Sequence, residues 1–305
     1  MGDLLQKVLE WTNLCLAWEA VMDNRGMPGT DQISIQRWNW HWEDNLLQLA
    51  AAVRANTYRP APLRVRRIPK SQPGQWRELL IPTVSDRVLQ RAALQLLQDL
   101  YEPLFRDCSF AYRPGRSLKM AVQRIIELRE HGWLWVLDAD IDDFFDTLDH
   151  AILFQLLREK INDAELLRLI AAWVGKLPAH RPAGKGIAMG SPLSPLLANI
   201  YLHPFDCAVT SRGHPMVRYA DDFIVLAASR AVLEDATAEV QAALEILKLT
   251  FHSEKTRLTS FEEGFEFIGV RFEGDEYSYT YLDKRIESDD ARVDLLFSDY
   301  GPQYG

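Results

Sequence analysis

The chain has 305 residues, 48% of them hydrophobic, and carries a formal net charge of −9. That length and apolar content suffice for a large core or two subdomains, while no uncharged apolar stretch reaches membrane-spanning length. Three scattered cysteines and seven dispersed histidines, with no His-x-x-x-His pair, argue against a disulfide framework and against zinc chemistry. They suit a reducing, cytoplasmic setting.

In chain order, Met1-Gly2-Asp3-Leu4-Leu5-Gln6 predicts neither a signal peptide nor a myristoylation site. Leu4, Leu5, Val8, Leu9, Trp11, Leu14, Leu16 and Trp18 have helical spacing and predict one helix over 3–22. A Gly/Pro loop follows from Asn24 to Asp31, then a second helix from Trp42 to Arg54. Leu63–Ile68 and Glu78–Ile81 read as strands joined by Ser71-Gln72-Pro73-Gly74, a basic hairpin with a polar tip. A long helix, Val88–Leu100, is opened by Ser85-Asp86-Arg87, with Ser85 or Asp86 as its cap. Leu118–Glu130 reads as a helix, and Trp133–Asp140 as an apolar strand ending in acids. Helices over His150–Lys160 and Ala164–Lys176 come next. Pro192–Leu202 is helical too, since proline is tolerated in a first turn.

The segment Arg218-Tyr219-Ala220-Asp221-Asp222-Phe223-Ile224-Val225-Leu226 then reads as a hairpin, with acids at the turn and a buried β-branched strand behind them. A helix over Ala231–Leu247 and two strands around Phe265–Phe272 complete an α+β pattern of antiparallel hairpins and helices. Two strands that converge carboxylates on one spot make a hard, oxygen-rich site of the kind that holds Mg²⁺. Solvated turn charge is the plainer reading of Asp221-Asp222 taken alone. The net charge is unevenly spread: residues 61–119 hold eleven Lys/Arg against five Asp/Glu, whereas residues 271–305 hold four against nine. The first stretch can neutralise phosphates; the second should avoid them and face a basic partner.

Further blocks follow one another in a set order: Ile68-Pro69-Lys70, Trp76-Arg77-Glu78-Leu79-Leu80-Ile81-Pro82-Thr83, Tyr112-Arg113-Pro114-Gly115-Arg116-Ser117 and Asp140-Ile141-Asp142-Asp143-Phe144-Phe145. After these come Gly190-Ser191-Pro192-Leu193-Ser194-Pro195, Tyr219-Ala220-Asp221-Asp222, Glu254-Lys255-Thr256-Arg257 and Phe267-Ile268-Gly269. Block by block, residues 20–272 resemble the reverse transcriptases of bacterial group II introns and their relatives. The resemblance implies a right-hand polymerase fold: fingers over 1–130, a palm over 131–272 with a fingers-like insertion at about 151–190, and 273–305 as an acidic tail or thumb remnant. Only 33 residues follow Phe272, too few for a three-helix thumb, so the thumb is expected to be short or absent.

The same resemblance implies roles. Asp140, Asp221 and Asp222 are expected as catalytic metal ligands, with Ile141 a further metal and nucleotide contact. Two Mg²⁺ ions are implied, with Mn²⁺ able to serve. Asp142 and Asp143 stand where relatives often carry Lys-Gly, and would offer backbone N–H groups to the triphosphate. Phe145 matches the aromatic under the sugar that rejects a 2′-hydroxyl, with Phe144 as core. Lys70 and Arg77 would hold the triphosphate, against a rival reading as solvated hairpin charges. Lys255 would protonate the leaving pyrophosphate. Arg113 and Arg116 would bind template phosphates, or else pair with acids, and Gly269 would lie along the nucleic acid. Met189, ahead of Gly190 in the nucleotide site, replaces the usual Gln and offers only a pliable apolar surface.

The implied activity is RNA-directed DNA synthesis from a DNA or RNA primer with dNTPs, serving CRISPR spacer acquisition or phage defence. The implied partners are an RNA template and an integrase or other protein that adds to the grip on the duplex; no membrane contact is expected. Two other readings stand beside it. Template-independent or protein-primed DNA synthesis would give product without added template. An inactive nucleic-acid-binding module would give none.

Overall fold

The computed structural model describes residues 2–69, 76–252, 255–281 and 284–287. Lys70 and the hairpin tip Ser71–Gly74 lie outside the described residues, as does Glu254. The first predicted helix is two, Asp3–Val8 (α1) and Trp11–Asp23 (α2), because Glu10 is extended (φ −64°, ψ 139°). The Asn13 amide bridges the break by donating to the Val8 carbonyl at 3.0 Å. Ile35–Asn39 (α3) is too short to show a period in sequence; Ser34 caps it by accepting from the Arg37 N–H. Trp42–Arg54 (α4) forms as predicted. Arg64–Pro69 (β1) and Trp76–Ile81 (β2) pair antiparallel, Arg67 opposite Glu78 and Ile68 opposite Arg77.

The long helix runs over Val84–Tyr101 (α5), a turn earlier than predicted, and its cap is Thr83 rather than Ser85 or Asp86. Thr83 Oγ1 accepts from the Asp86 N–H, while the Asp86 carboxylate turns inward to Tyr58 and Ala61. Leu118–Glu130 (α6) matches its prediction. Next come Trp135–Asp140 (β3), Phe144–Thr147 (α7), His150–Arg158 (α8) and Ala164–Val174 (α9). Asp149 and Asp163 cap α8 and α9, each accepting two backbone N–H groups. Ser194–Ser211 (α10) outruns its predicted end. Met216–Tyr219 (β4), Asp222–Ala227 (β5) and Arg230–Ile246 (α11) precede Arg257–Ser260 (β6), Phe265–Phe267 (β7), Val270–Glu273 (β8), Glu276–Tyr281 (β9) and Lys284–Glu287 (β10). The segment after Phe272 thus begins as sheet. No described helix is long and apolar enough to cross a membrane.

The described residues form two compact units. One draws on Met1–Pro103 and Leu148–Ile200. Its centre is α5, whose Val84, Val88, Leu89, Ala92, Ala93 and Leu97 are buried. Helix α2 lies against it, with Asn13 donating to the Ala92 carbonyl at 3.1 Å. Tyr58 and Thr83 Oγ1 donate to the buried Asp86 carboxylate, and Trp173 Nε1 donates to the Tyr58 hydroxyl at 2.9 Å. The hairpin is tied down through Glu78, which accepts from Arg67 and Arg181 and bonds His180.

The other unit draws on Leu104–Thr147 and Tyr201 onward. Its central sheet has the order β4-β5-β3-β6, antiparallel throughout. A second antiparallel sheet has the order β10-β9-β8-β7. Ala121, Val122, Ile125 and Leu128 of α6 pack with Val136, Val217, Ile224 and Leu226 of the central sheet and with Phe265, Phe267 and Phe272 of the second. Each fully buried Val, Leu, Ile or Phe side chain contributes about 1.5–3 kcal/mol. On the opposite face, Phe223 meets Phe205 of α10 and Phe251. With both faces covered, the strands are held in one register, and the ends of β3 and β5 are fixed with them.

Candidate active site at the acidic end of the central sheet

Register decides what meets here. β3 ends on Asp140 and β5 begins on Asp222, and the antiparallel pairing sets these two directly opposite. Directly opposed residues share a face of the sheet. On the other side of β3, Arg257 of β6 lies opposite Asp138, which brings the segment just before β6, with Lys255, toward Asp140. The Lys255 ammonium is ion-paired with Asp140. Only Ala220 and Asp221 join β4 to β5, and the Asp221 carbonyl accepts from the Ile141 N–H at 3.4 Å.

The electrostatics show a surplus of negative charge. Asp140 is buried, whereas Asp222, at the start of its strand, is exposed. Crowding by protein withdraws the Asp222 carboxyl from bulk water, and the charges of Asp221 and Asp140, with a hydrogen bond to Asp140, add to the effect. Together they push its pKa up to about 7. Lys255 shows the converse. Desolvation works against its charge, but the hydrogen bond and charge of Asp140, backed by Asp222 and Asp221, hold it above the ordinary lysine range.

This donor set suits a hard divalent cation. All three acids are oxygen ligands, like charge is crowded at one strand end, and a lysine ammonium already lies on one of them. No group of three or more His, Cys, Asp or Glu at metal-holding spacing is preassembled among the described residues. A metal held here would require local adjustment of these side chains.

The remaining predicted residues fall into three sets. Ile141 is buried and bridges to Phe251, so it is fixed beside Asp140. Asp142 and Asp143 are exposed. The backbone N–H of Asp142, expected to face a triphosphate, donates here to the Thr250 carbonyl at 3.0 Å. Asp143 takes a left-handed conformation (φ 39°), an unfavourable one for a non-glycine residue. Phe144 is core, against Tyr201, while Phe145 is half-buried and edge-on to Phe144.

Arg113 is turned inward, donating to the Arg106 and Ser109 carbonyls at 2.7 Å. It is buried beside Phe105, which favours the structural reading over phosphate contact. Arg116 pairs with Asp107 and lies over Phe110. Gly269 sits with Ile268 at the β7–β8 turn, both with positive φ (75° and 48°), the pattern of a two-residue type I′ hairpin. The third set lies in the other unit. Arg77 is exposed on β2. The Met189 carbonyl accepts from the Leu80 N–H at 2.7 Å. Gly190 has φ 115°, and a Cβ there would meet the Leu80 carbonyl at 2.9 Å, so only glycine fits.

Sequence reasoning assigned no role to Arg218, which is fully buried against Asp206. The signal was present: a charged residue inside the apolar strand Met216-Val217-Arg218-Tyr219 needs a buried partner.

The sequence profile of the family described as "Reverse transcriptase (RNA-dependent DNA polymerase)" matches residues 68–272. Protein YkfC of Escherichia coli K12 is 29% identical over 309 residues, spanning 86% of this chain and 80% of YkfC. The group II intron-encoded protein LtrA of Lactococcus lactis is 36% identical over 170 residues, spanning 54% of this chain. This chain therefore covers 28% of LtrA, well under half the length of that relative. Among solved structures, apo telomerase of Candida tropicalis, truncated from its C-terminal domain, superposes with a TM-score of 0.55 at 12% identity. That superposition spans 81% of this chain and 60% of the telomerase chain and speaks to the fold, a right-hand polymerase.

Proposed function

We infer the function from a premise that the matches establish: this chain belongs to the reverse transcriptase (RNA-dependent DNA polymerase) family. Enzymes of this family use divalent metal ions. We propose that the protein extends a DNA or RNA primer with dNTPs along an RNA template. The observation that carries the reading is the convergence of Asp140, Asp222 and Asp221 at one end of a buried sheet, where their charges oppose one another.

In this reading Asp140, Asp221 and Asp222 hold Mg²⁺, two ions, with Mn²⁺ able to replace them. When bound, these ions neutralise charge on the attacking and leaving oxygens of phosphoryl transfer. The backbones of Asp140 and Asp222 are fixed by their strands and that of Asp221 by its turn, so only side-chain adjustment is left when substrate arrives. Lys255, a charged ammonium ion-paired with Asp140, would protonate the departing pyrophosphate. Arg77 presents a planar fork suited to a triphosphate. Phe145 excludes a 2′-hydroxyl, while Phe144 anchors the segment in the core. Residues 1–130 act as fingers and residues 131–272 as palm, with a fingers-like insertion at about 151–190.

The deciding experiment is incubation with Mg²⁺, labelled dNTPs and, separately, primed RNA, primed DNA or no template. Extension on primed RNA supports the reading. Product without template would favour template-independent or protein-primed synthesis, and no product under any condition would make the chain a binding module. We place the synthesis in the cytoplasm, in CRISPR spacer acquisition or phage defence, beside an integrase or another protein that adds to the duplex grip. Deletion of the gene, scored for new spacers and for phage resistance, tests that setting.

A further inference from the structure

The turn that carries Asp221 is built on an unfavourable residue. Ala220 sits in the left-handed region, with φ 62°. Two-residue hairpins that need this conformation usually supply Gly, Asn or Asp. Alanine has neither the freedom of glycine nor a polar side chain to bond its own backbone. Some other group must therefore hold the turn.

Arg218 is placed to do so. Its Nη1 donates to the Ala220 carbonyl at 2.9 Å. The rest of the guanidinium is fixed in turn: Nε and Nη2 donate to the two carboxylate oxygens of Asp206 at 2.7 and 2.6 Å, and Nη2 also donates to Ser109 Oγ at 2.9 Å. The backbone is held as firmly. The Arg218 N–H donates to the Cys108 carbonyl at 2.7 Å, and the Phe110 N–H donates to the Arg218 carbonyl at 3.0 Å. Arg218 and Asp206 are both 0% exposed. Asp206 comes from α10, so the clamp ties the turn to a helix that is itself packed on the sheet through Phe205 and Phe223.

Stability alone does not account for such a pair. A buried ion pair often stabilises a fold no better than an apolar pair of similar volume, which turns attention to what its geometry holds. Only a planar fork can grip a carboxylate with one edge and a carbonyl with another. We propose that Arg218 and Asp206 are positioning residues: through the Ala220 carbonyl they hold the turn in its left-handed form and so fix the direction in which Asp221 and Asp222 face the cation. The proposal deepens the polymerase reading and rests on it for its kinetic readout.

The test replaces both charges, Arg218→Met with Asp206→Leu, so that no unpaired charge is left inside. Cooperative melting near the wild-type temperature is expected. The kcat should fall about 100-fold with the KM for dNTP nearly unchanged, the size expected for misplaced reacting groups. Mn²⁺ affinity, read by calorimetry without nucleotide or template, should fall about 10-fold, as when support behind metal ligands is removed. Adding Ala220→Gly should restore part of both, because glycine reaches that conformation unaided. Absence of any gain would assign the loss to the fold and overturn the proposal. Wild-type kcat and Mn²⁺ affinity in the folded double variant would overturn it as well.

Should that variant not fold, Arg218→Lys carries the test. Lysine keeps a charge on Asp206 but cannot also reach the Ala220 carbonyl, so both readouts should fall. Unchanged values, or unfolding of this variant too, would overturn the proposal by making the pair a plain fold element. A wild-type protein that binds Mn²⁺ but makes no product would sink the polymerase reading instead, leaving the Mn²⁺ comparison to decide this one.

Discussion

Asp86 in the first unit and Asp140 in the second are both buried carboxylates, and they are treated in opposite ways. Asp86 is 3% exposed and accepts from the Tyr58 hydroxyl, Thr83 Oγ1 and the Ala61 N–H, all neutral donors from its own unit. Desolvation still raises its pKa, but its lone pairs are filled and nothing more is asked of it. Asp140 is 8% exposed and lies opposite a second carboxylate, with a third in the adjoining turn and a lysine as its counter-charge. A buried acid satisfied from within marks structure. Acids set against each other, with one lysine to offset them, mark a candidate functional site.

The sharpest way to break this comparison is to remove charge without removing shape. Asp221→Asn should abolish primer extension, a loss of at least about 10³-fold, while leaving melting unchanged. Near-normal extension by that variant would dissolve the metal assignment. Next in size is a contrast between neighbours. Phe145→Ala should relax discrimination between dGTP and GTP by about 10- to 100-fold, the range a pocket wall commands. Phe144→Ala should instead destabilise the protein by about 3–5 kcal/mol, as loss of a core ring does. If both variants discriminate like the wild type, Phe145 belongs to the core with Phe144.

On the structural side, Asp86→Ala leaves Tyr58, Thr83 and Ala61 without their acceptor. It should cost about 1–3 kcal/mol, read as a Tm lower by roughly 2–5 °C. Extension per folded molecule should be retained; a loss like that of Asp221→Asn would erase the distinction between the two acids.

The smallest effect is one of pH. The folded pKa of Asp222 is raised toward about 7, above its unfolded value. Its protonation therefore favours the fold: the contribution is complete below the unfolded carboxylate range and fades as pH rises through about 7. Metal-free protein should melt higher at pH 6 than at pH 8, and Mg²⁺ at pH 8 should recover the difference. In Asp222→Asn this part of the pH dependence should vanish; if it persists undiminished, the titrating group is elsewhere.

Much of this was legible in the sequence, unevenly. The run Phe223–Leu226 announces a buried strand and Asp221-Asp222 its turn, because β-branched side chains and acids are local signals. The match of α6 to its predicted ends is local too, with Ser117 as cap and a clear helical period. What sequence could not supply is register. β6 is only four residues long, and its pairing with β3, which sets Lys255 beside Asp140, depends on partners more than a hundred positions away. The cap of α5 differs from its prediction because Thr83, Ser85 and Asp86 are all capable, and tertiary bonds of Asp86 with Tyr58 and of Ser85 with Trp38 decide among them. The two readings of Arg113 stay open in sequence because its partners are backbone carbonyls, which no residue identity reveals.

The pairing of β3 with β5 and β6 has a consequence for tolerance to insertions and deletions. Because side chains alternate along a strand, one residue added inside β3 would carry Asp140 to the opposite face, away from Asp222 and Lys255 together. The same addition between β5 and α11, or after β6 in the turn Phe261–Gly264, would leave that alignment untouched. Single-codon insertions should therefore abolish activity in narrow bands at 135–140, 218–227 and 255–260 and be accepted at 228–229 and 261–264, a length constraint that no substitution at those positions would expose.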